Sequence, residues 1–178
     1  AFRKCDAEDA AACARQLQEG VNEGLRGAAI CTADAISARR VLHDLPLAPL
    51  PTTGEIDAIL ATQWLDPAEL GAVNIHQQLG LRLWAQAVES ARRSPPATMA
   101  FRFSSIAIGS VQLVGMSGEF FLEYGMRAQE IFGHETIALG YTQGCQSYVP
   151  TDRALIEGGY EPGAWKRFQQ LAPFAQGV

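Results

Sequence analysis

The spacing of apolar residues predicts helices over much of the chain. Apolar positions recur with the period of an amphipathic helix over residues 6–26, 67–92 and 118–132. Pro67 suits the first helical position of the longest segment, and Pro95 and Pro96 lie just beyond its end. Shorter helices are expected at residues 54–64, with Thr53 as a cap, and at 152–157.

Other segments have the alternating or β-branched character of strands. Residues 99–108 and 111–116 flank Gly109-Ser110, a pair that favours a two-residue turn and predicts an antiparallel hairpin. Thr136–Leu139 is expected to join the same sheet, and residues 36–45 are mixed, with Val41 and Leu42 the most strand-like. The pattern predicts a single α/β domain over residues 1–178, with a mixed β-sheet that contains an antiparallel hairpin and is packed by several helices.

Composition narrows the classes of partner. With 48% hydrophobic residues the chain can bury a full core, and a net charge of −5 argues against a nucleic-acid partner. The longest apolar runs are only a few residues, so no transmembrane segment is expected. The four cysteines show no CxxC pattern. The chain begins at Ala1 rather than Met, so the removal of a leader, and with it a secreted or periplasmic location, stays open.

Two residues lie at positions where functional side chains are common in α/β sheets. Glu119 follows the strand at 111–116 and is expected in the first turn of the next helix, and Tyr148 lies in the loop after the following strand. Both positions fall at strand carboxyl ends, where ligands bind in such sheets. A purely structural role is the alternative for each: an acid stabilises a helix N-terminus, and a tyrosine ring in a loop often simply packs.

Familiar catalytic patterns are missing from the sequence. His43, His76 and His134 are scattered, none pairs with another at metal-ligand spacing, and there is no HExxH motif. No phosphate-binding loop or nucleophile elbow occurs, and Ser117 is expected to act as a helix cap. The residues alone therefore indicate an acid and a phenol near one sheet edge, and no particular reaction.

A set of motifs in order adds a family resemblance. They are Leu113-Val114-Gly115-Met116-Ser117-Gly118-Glu119-Phe120, Gly140-Tyr141-Thr142-Gln143-Gly144, Ser147-Tyr148-Val149-Pro150-Thr151 and Gly159-Tyr160-Glu161. Over roughly residues 70–165 the chain resembles the neutral/alkaline non-lysosomal ceramidase family. It departs from the family pattern at Gln143, where Asn is common, and at Ser147, where Gly is frequent.

The resemblance implies a zinc-dependent amidohydrolase that cleaves the N-acyl amide bond of ceramide-like lipids to a sphingoid base and a fatty acid. In that family two histidines, a glutamate and a tyrosine hold one Zn²⁺. Glu119 and Tyr148 match the glutamate and tyrosine ligands, and Tyr160 matches a second tyrosine close to the site, with an expected catalytic role.

The resemblance also implies a missing partner segment. The two histidine ligands belong to a preceding part of the family's catalytic domain, so the chain is expected to be the C-terminal portion, completed by the N-terminal part of the same protein. The isolated chain is expected to be inactive. The alternative is a non-catalytic ceramidase-like module that serves in binding or assembly.

Overall fold

The computed structural model describes residues 7–28, 33, 35–63 and 72–177. Contacts divide the chain into two units, Ala1–Asp34 and Ala35–Val178. In the first unit the predicted N-terminal helix is confirmed as α1, Ala7–Gly27, and none of its residues is buried. All the remaining elements belong to the second unit.

The second unit is the expected α/β arrangement of helices and a mixed sheet. Its elements in chain order are β1 (Ile36–Pro46), α2 (Thr53–Gln63), α3 (Ala72–Ala91), β2 (Thr98–Ile108), β3 (Val111–Met116), β4 (Glu119–Phe120), α4 (Leu122–Phe132), β5 (Thr136–Leu139), β6 (Tyr148–Val149), α5 (Asp152–Glu157) and α6 (Tyr160–Gly163), followed by a 3-10 turn, Ala164–Lys166. The predicted start of the long helix, Asp66 and Pro67, lies outside the described residues.

The main sheet has four strands in the order β1-β2-β3-β5. The hairpin β2–β3 is antiparallel with Ile108 opposite Val111, so the turn predicted at Gly109 is confirmed, and Gly109 adopts the positive φ of 58° that such turns require. Strand β5 pairs with β3 in parallel, through a crossover that contains α4. Strand β1 pairs with β2 along its whole length.

Beyond Met116 the chain leaves the main sheet and enters a second, two-stranded parallel sheet, β4–β6. The prediction that the helix begins at Gly118 is therefore wrong: residues 119–120 are extended, and α4 begins at Leu122. The backbone N–H of Glu119 donates to the carbonyl of Ser147 at 2.9 Å, which an N-terminal helical turn would not provide. Tertiary pairing has overridden the local helical pattern.

Ser117 also differs from the expectation of a helix cap. Its side-chain oxygen accepts a hydrogen bond of 2.7 Å from the backbone N–H of Arg102, and its own N–H donates to the Arg102 carbonyl at 3.0 Å. Ser117 is fully buried. The residue thus ties the end of β3 to β2, at the point where the chain turns toward the second sheet.

One hydrophobic cluster lies beneath this junction. Its buried members are Leu45, Phe101, Val149 and Phe174. Phe120 adds edge-to-face contacts with Phe101, Phe103 and Tyr124, at ring-centroid distances of 5.7, 5.5 and 5.3 Å. Both strands of the second sheet are therefore anchored in the core, one through Phe120 and the other through Val149.

A second cluster joins the helices to the C-terminal segment. Ile56 of α2 packs with Trp84 and Val88 of α3, and the Trp84 indole donates to the carbonyl of Gln170 at 2.9 Å. Trp84 also meets Trp165 edge to face. After the 3-10 turn the C-terminal segment continues in turns and forms an antiparallel bridge between Phe174 and Leu47.

The start of α2 lies one residue earlier than predicted. Thr52, rather than Thr53, forms a capping box with Glu55: the Glu55 N–H donates to the Thr52 hydroxyl at 3.2 Å, and the Thr52 N–H donates to the Glu55 carboxylate at 2.7 Å. None of the helices in the described part of the chain combines the length and apolar character needed to cross a membrane.

The absence of a side chain at Gly118 lets the Phe101 ring and the Ser147 carbonyl approach the main chain closely, so replacing this glycine should destabilise the fold. A Cβ there would lie 2.8 Å from Cε1 of Phe101 and 3.1 Å from the Ser147 carbonyl oxygen. We expect Gly118→Ala to lower the free energy of unfolding by about 1–3 kcal/mol, as overpacking of a core does. Urea denaturation followed by circular dichroism measures this loss. Gly54→Ala is the matched control, since its Cβ meets nothing within 4 Å, and an equal loss in both variants would contradict the prediction.

Candidate functional site

The second sheet brings the two predicted site residues side by side. Glu119 is the direct partner of Tyr148 in the β4–β6 pairing, as Phe120 is of Val149. Successive side chains of a strand point to opposite sides. Because Phe120 and Val149 pack into the core, Glu119 and Tyr148 are directed away from it. Residues 29 positions apart in the chain thus present a carboxylate and a phenol at one surface.

That surface is an open pocket of about 550 Å³. Its lining combines acids, phenols and two phenylalanines: Glu119, Phe120, Phe121, Gly140, Tyr141, Tyr148 and Glu161. Glu119 and Tyr148 are both partly buried, so they are shielded from water on one side and remain accessible from the pocket. The pocket therefore has the polar and apolar surfaces that a site for an amphipathic small molecule needs.

The loop after β5 completes one wall of the pocket. The N–H of Tyr141 donates to the carbonyl of Gly118 at 3.0 Å, and that of Thr142 donates to the carbonyl of Met116 at 3.1 Å. Tyr141 and Gln143 both adopt positive φ angles, 59° and 63°, which are unfavourable for residues with side chains. Backbone strain of this kind persists where surrounding contacts hold it, and it clusters at functional sites.

Glu119 is the centre of the polar contacts in the pocket. Interaction with its carboxylate raises the pKa of both the Tyr141 and the Tyr148 hydroxyl groups. The thiol of Cys145 lies 3.9 Å from its Oε1 atom. One carboxylate thus lies beside two phenols and a thiol, which come from two segments of the chain.

These contacts hold protons on the surrounding groups. The hydrogen bond to the Glu119 carboxylate raises the pKa of Tyr141 to about 12. Burial, with the Glu119 hydrogen bond as the next cause, raises the pKa of Tyr148 to about 12. Burial and the negative charge of Glu119 also raise the pKa of the Cys145 thiol. Without a cation, then, the pocket stabilises neutral phenols beside one carboxylate.

Tyr160 lies next to Tyr148. The two rings meet edge to face with centroids 6.2 Å apart, and Phe168 approaches Tyr148 in the same way at 5.5 Å. The Arg167 guanidinium lies over the Tyr160 ring, 4.9 Å from its centroid. Tyr160 is half exposed, and it adjoins a residue of the pocket lining, Tyr148, without lining the pocket itself. All three residues singled out in the sequence are thus close neighbours.

The donors present fit part of a zinc site. A carboxylate and a phenol oxygen are hard ligands that suit Zn²⁺, which usually takes four donors. Within the described residues no cluster of three or more His, Cys, Asp and Glu side chains could hold a metal ion by itself. The His43 ring packs against Phe103 on the main sheet, and the side chain of His76 is outside the described part.

Tyr141 and Cys145 are pocket residues to which the sequence reasoning gave no role. In the sequence Tyr141 is only part of a motif, and Cys145 is only one of four cysteines without a CxxC pattern. Their contact with Glu119 depends on the path of the loop between β5 and β6, which has no periodic pattern. The one available signal was position: Tyr141 comes two residues after the carboxyl end of β5.

Comparisons with known protein families, with curated proteins and with solved structures found no match to this chain.

The two causes of the raised tyrosine pKa values can be separated by mutation. In Glu119→Gln we expect the pKa of Tyr141 to fall most, because its main cause is lost. The pKa of Tyr148 should fall only in part, because burial remains. Titration of ¹³C-labelled tyrosines by NMR measures both values in the metal-free chain.

Glu161→Gln is the matched control for this titration, because Glu161 lines the same pocket without contributing to either shift. The raised pKa of Tyr148 also predicts how the stability of the fold changes with pH. The contribution of the protonated phenol is fully present below pH 10 and is lost as the pH rises through about 12. If Glu161→Gln lowered the two pKa values as much as Glu119→Gln did, the assigned contacts would be wrong.

Proposed function

We propose that this chain is the C-terminal portion of a zinc-dependent amidohydrolase resembling the neutral ceramidases, and that Glu119 and Tyr148 are two of its metal ligands. The observation that carries the proposal is the direct pairing of these two residues at the edge of an open pocket. The motif resemblance named the same two residues independently of any coordinates.

The main chain supports the role of a preorganised pair of ligands. The backbone bonds Glu119 N–H to Ser147 carbonyl, 2.9 Å, and Phe121 N–H to Val149 carbonyl, 3.3 Å, hold the two strands in register. The backbone positions of the two residues are thus fixed relative to each other, and a metal site gains affinity when its ligands need little rearrangement. Further ligands come, in this proposal, from the N-terminal part of the same protein.

The protonation of the phenol is part of the proposal. With a pKa near 12 in the metal-free chain, Tyr148 holds its proton at neutral pH. A cation held at this pair would favour the deprotonated oxygen of Tyr148 and would so lower the pKa of that phenol. Tyr141 remains a hydrogen-bond donor to Glu119 and orients its carboxylate, a supporting contact of the kind that tunes metal ligands.

The rest of the pocket suits an N-acyl lipid. Phe121 contributes apolar surface that can contact hydrocarbon. The hydroxyl of Tyr160 can donate a hydrogen bond to the substrate or to the departing amine, which is the catalytic role proposed for it. When bound, Zn²⁺ would supply a Lewis acid that polarises the amide carbonyl and activates a water molecule.

In the complete protein, Glu119→Gln should abolish zinc binding and N-acyl amide hydrolysis together, because a neutral amide is a poorer zinc ligand than a carboxylate. Metal content by mass spectrometry and hydrolysis of a fluorescent ceramide measure the two properties on the same preparation. Glu123→Gln, an exposed acid on α4, is the control and should retain both. A Glu119→Gln protein that keeps zinc and activity would rule out the ligand assignment. A complete wild-type protein with neither property would favour a binding or assembly module.

The isolated chain should bind Zn²⁺ weakly or not at all and should not hydrolyse N-acyl lipids, because two oxygen donors fill only half of a four-coordinate site. Isothermal titration calorimetry of the 178-residue chain with zinc chloride measures the affinity, with Tyr148→Phe as a comparison. A tight one-to-one site that survives in Tyr148→Phe would show that zinc binds elsewhere, and measurable turnover would refute the need for a second segment.

A further inference from the structure

Strand β1 is an edge strand of the main sheet, and within the described residues no other strand pairs with its outer edge before Pro46, whose carbonyl accepts a hydrogen bond from the Ala175 N–H. It spans Ile36–Pro46, pairs with β2 on one side, and is terminal in the strand order of the main sheet. Residues 36–44 are all exposed. Val41 and Leu42 point to opposite faces of the sheet, yet they are 55% and 68% exposed. A strand with apolar side chains on both faces and a free edge is a template for pairing with another strand.

One face of β1 carries charges of opposite sign on either side of a central leucine. Arg40, Leu42 and Asp44 alternate along the strand, so their side chains share a face. The cation Arg40 and the anion Asp44 thus lie at equal distances along the strand from Leu42. Within the described residues, neither Arg40 nor Asp44 forms an ion pair. Each charge thus has no ion-pair partner in the described part of its own chain, and the order of the charges makes the strand complementary to itself.

We propose that β1 is a homodimer interface, in which it pairs antiparallel with β1 of a second copy about a twofold axis at Leu42. In this register Leu42 meets its own counterpart. Arg40 lies opposite Asp44 of the other copy, and symmetry produces that ion pair twice. The two main sheets then form one continuous sheet through main-chain hydrogen bonds between the two edges.

Symmetry limits the possible registers. Two copies of an edge strand that pair antiparallel are related by an axis perpendicular to the sheet, and directly opposed residues must lie on the same face. The axis must therefore pass through a residue rather than between two residues. Centring on Val41 sets Arg40 against Leu42 and leaves Asp44 opposite Ala38. Centring on Leu42 is the choice among neighbouring registers that places opposite charges together.

The same charges explain why pairing would be selective. Charged residues on an edge strand usually prevent association, and like charges directly opposite each other are unfavourable. A foreign strand without the matching order would face Arg40 or Asp44 with no partner. Pro46 lacks an N–H, and its carbonyl already accepts a hydrogen bond of 3.0 Å from the Ala175 N–H, so the pairing segment ends at Leu45. A second copy of this chain satisfies both charges, which favours it over an unrelated strand.

A symmetric disulfide tests the register. In a background with the four native cysteines changed to Ser, Leu42→Cys should cross-link to itself under mild oxidation, since directly opposed Cβ atoms are about 4.5–5.5 Å apart. Ala38→Cys is the control: its counterpart would be offset by about 27 Å along the strand, at ~3.4 Å per residue. Rapid covalent dimer formation by Leu42→Cys alone supports the proposal. Equal cross-linking by both variants overturns it.

A charge exchange tests the ion pairs by sedimentation equilibrium at low salt. Arg40→Asp and Asp44→Arg should each weaken dimerisation about tenfold or more, because each turns two attractive pairs into two repulsive ones. The double variant should recover most of the affinity. Arg39→Asp, on the other face, is the matched control and should have a smaller effect. Circular dichroism checks that every variant folds. A wild-type chain that stays monomeric at all concentrations, or a double variant that recovers nothing, overturns the proposal.

Discussion

The two-residue pairing of Glu119–Phe120 with Tyr148–Val149 is the interaction on which the candidate site depends. In each pair one residue packs in the core while its neighbour faces the pocket. Because the side chains of a strand alternate, burying Phe120 and Val149 determines which way Glu119 and Tyr148 point. A shift of one residue in this register would exchange the buried and pocket-facing sets. The aromatic contacts of Phe120 therefore determine the side of the strand on which Glu119 lies.

The junction beside this pairing shows how a fold accommodates local strain near a site. Gly118 leaves room for the Phe101 ring and the Ser147 carbonyl, which a Cβ would contact too closely. Tyr141 and Gln143 hold positive φ angles, each of which costs on the order of 1–3 kcal/mol. The hydrogen bond from Tyr141 N–H to Gly118 and the burial of the neighbouring core offset this cost. The result is a loop whose side chains converge on one carboxylate.

The two surfaces singled out here lie at opposite ends of the strand order. The candidate site develops from β3 and β5, where Met116 leads into the second sheet and Leu139 leads into the Tyr141 loop. The self-complementary edge is β1, separated from β3 by β2. Pairing through β1 would therefore leave the β5 side of the sheet free. A dimer and an open pocket are compatible on this topology.

By itself the sequence determined the local elements: the hairpin about Gly109, the strand at Thr136–Leu139 and the helices α1 to α5 follow from periodicity and turn chemistry, which act over a few residues. It also singled out Glu119 and Tyr148 by their positions after strands. The local pattern wrongly predicts that Glu119 is helical and that Ser117 is a helix cap. The hydrogen-bond partners that decide their structure, Ser147 and Arg102, are remote in the chain. Only the tertiary structure decided that Glu119, Tyr141 and Tyr148 meet, since long-range backbone pairing and burial of Phe120 have no signature in local sequence.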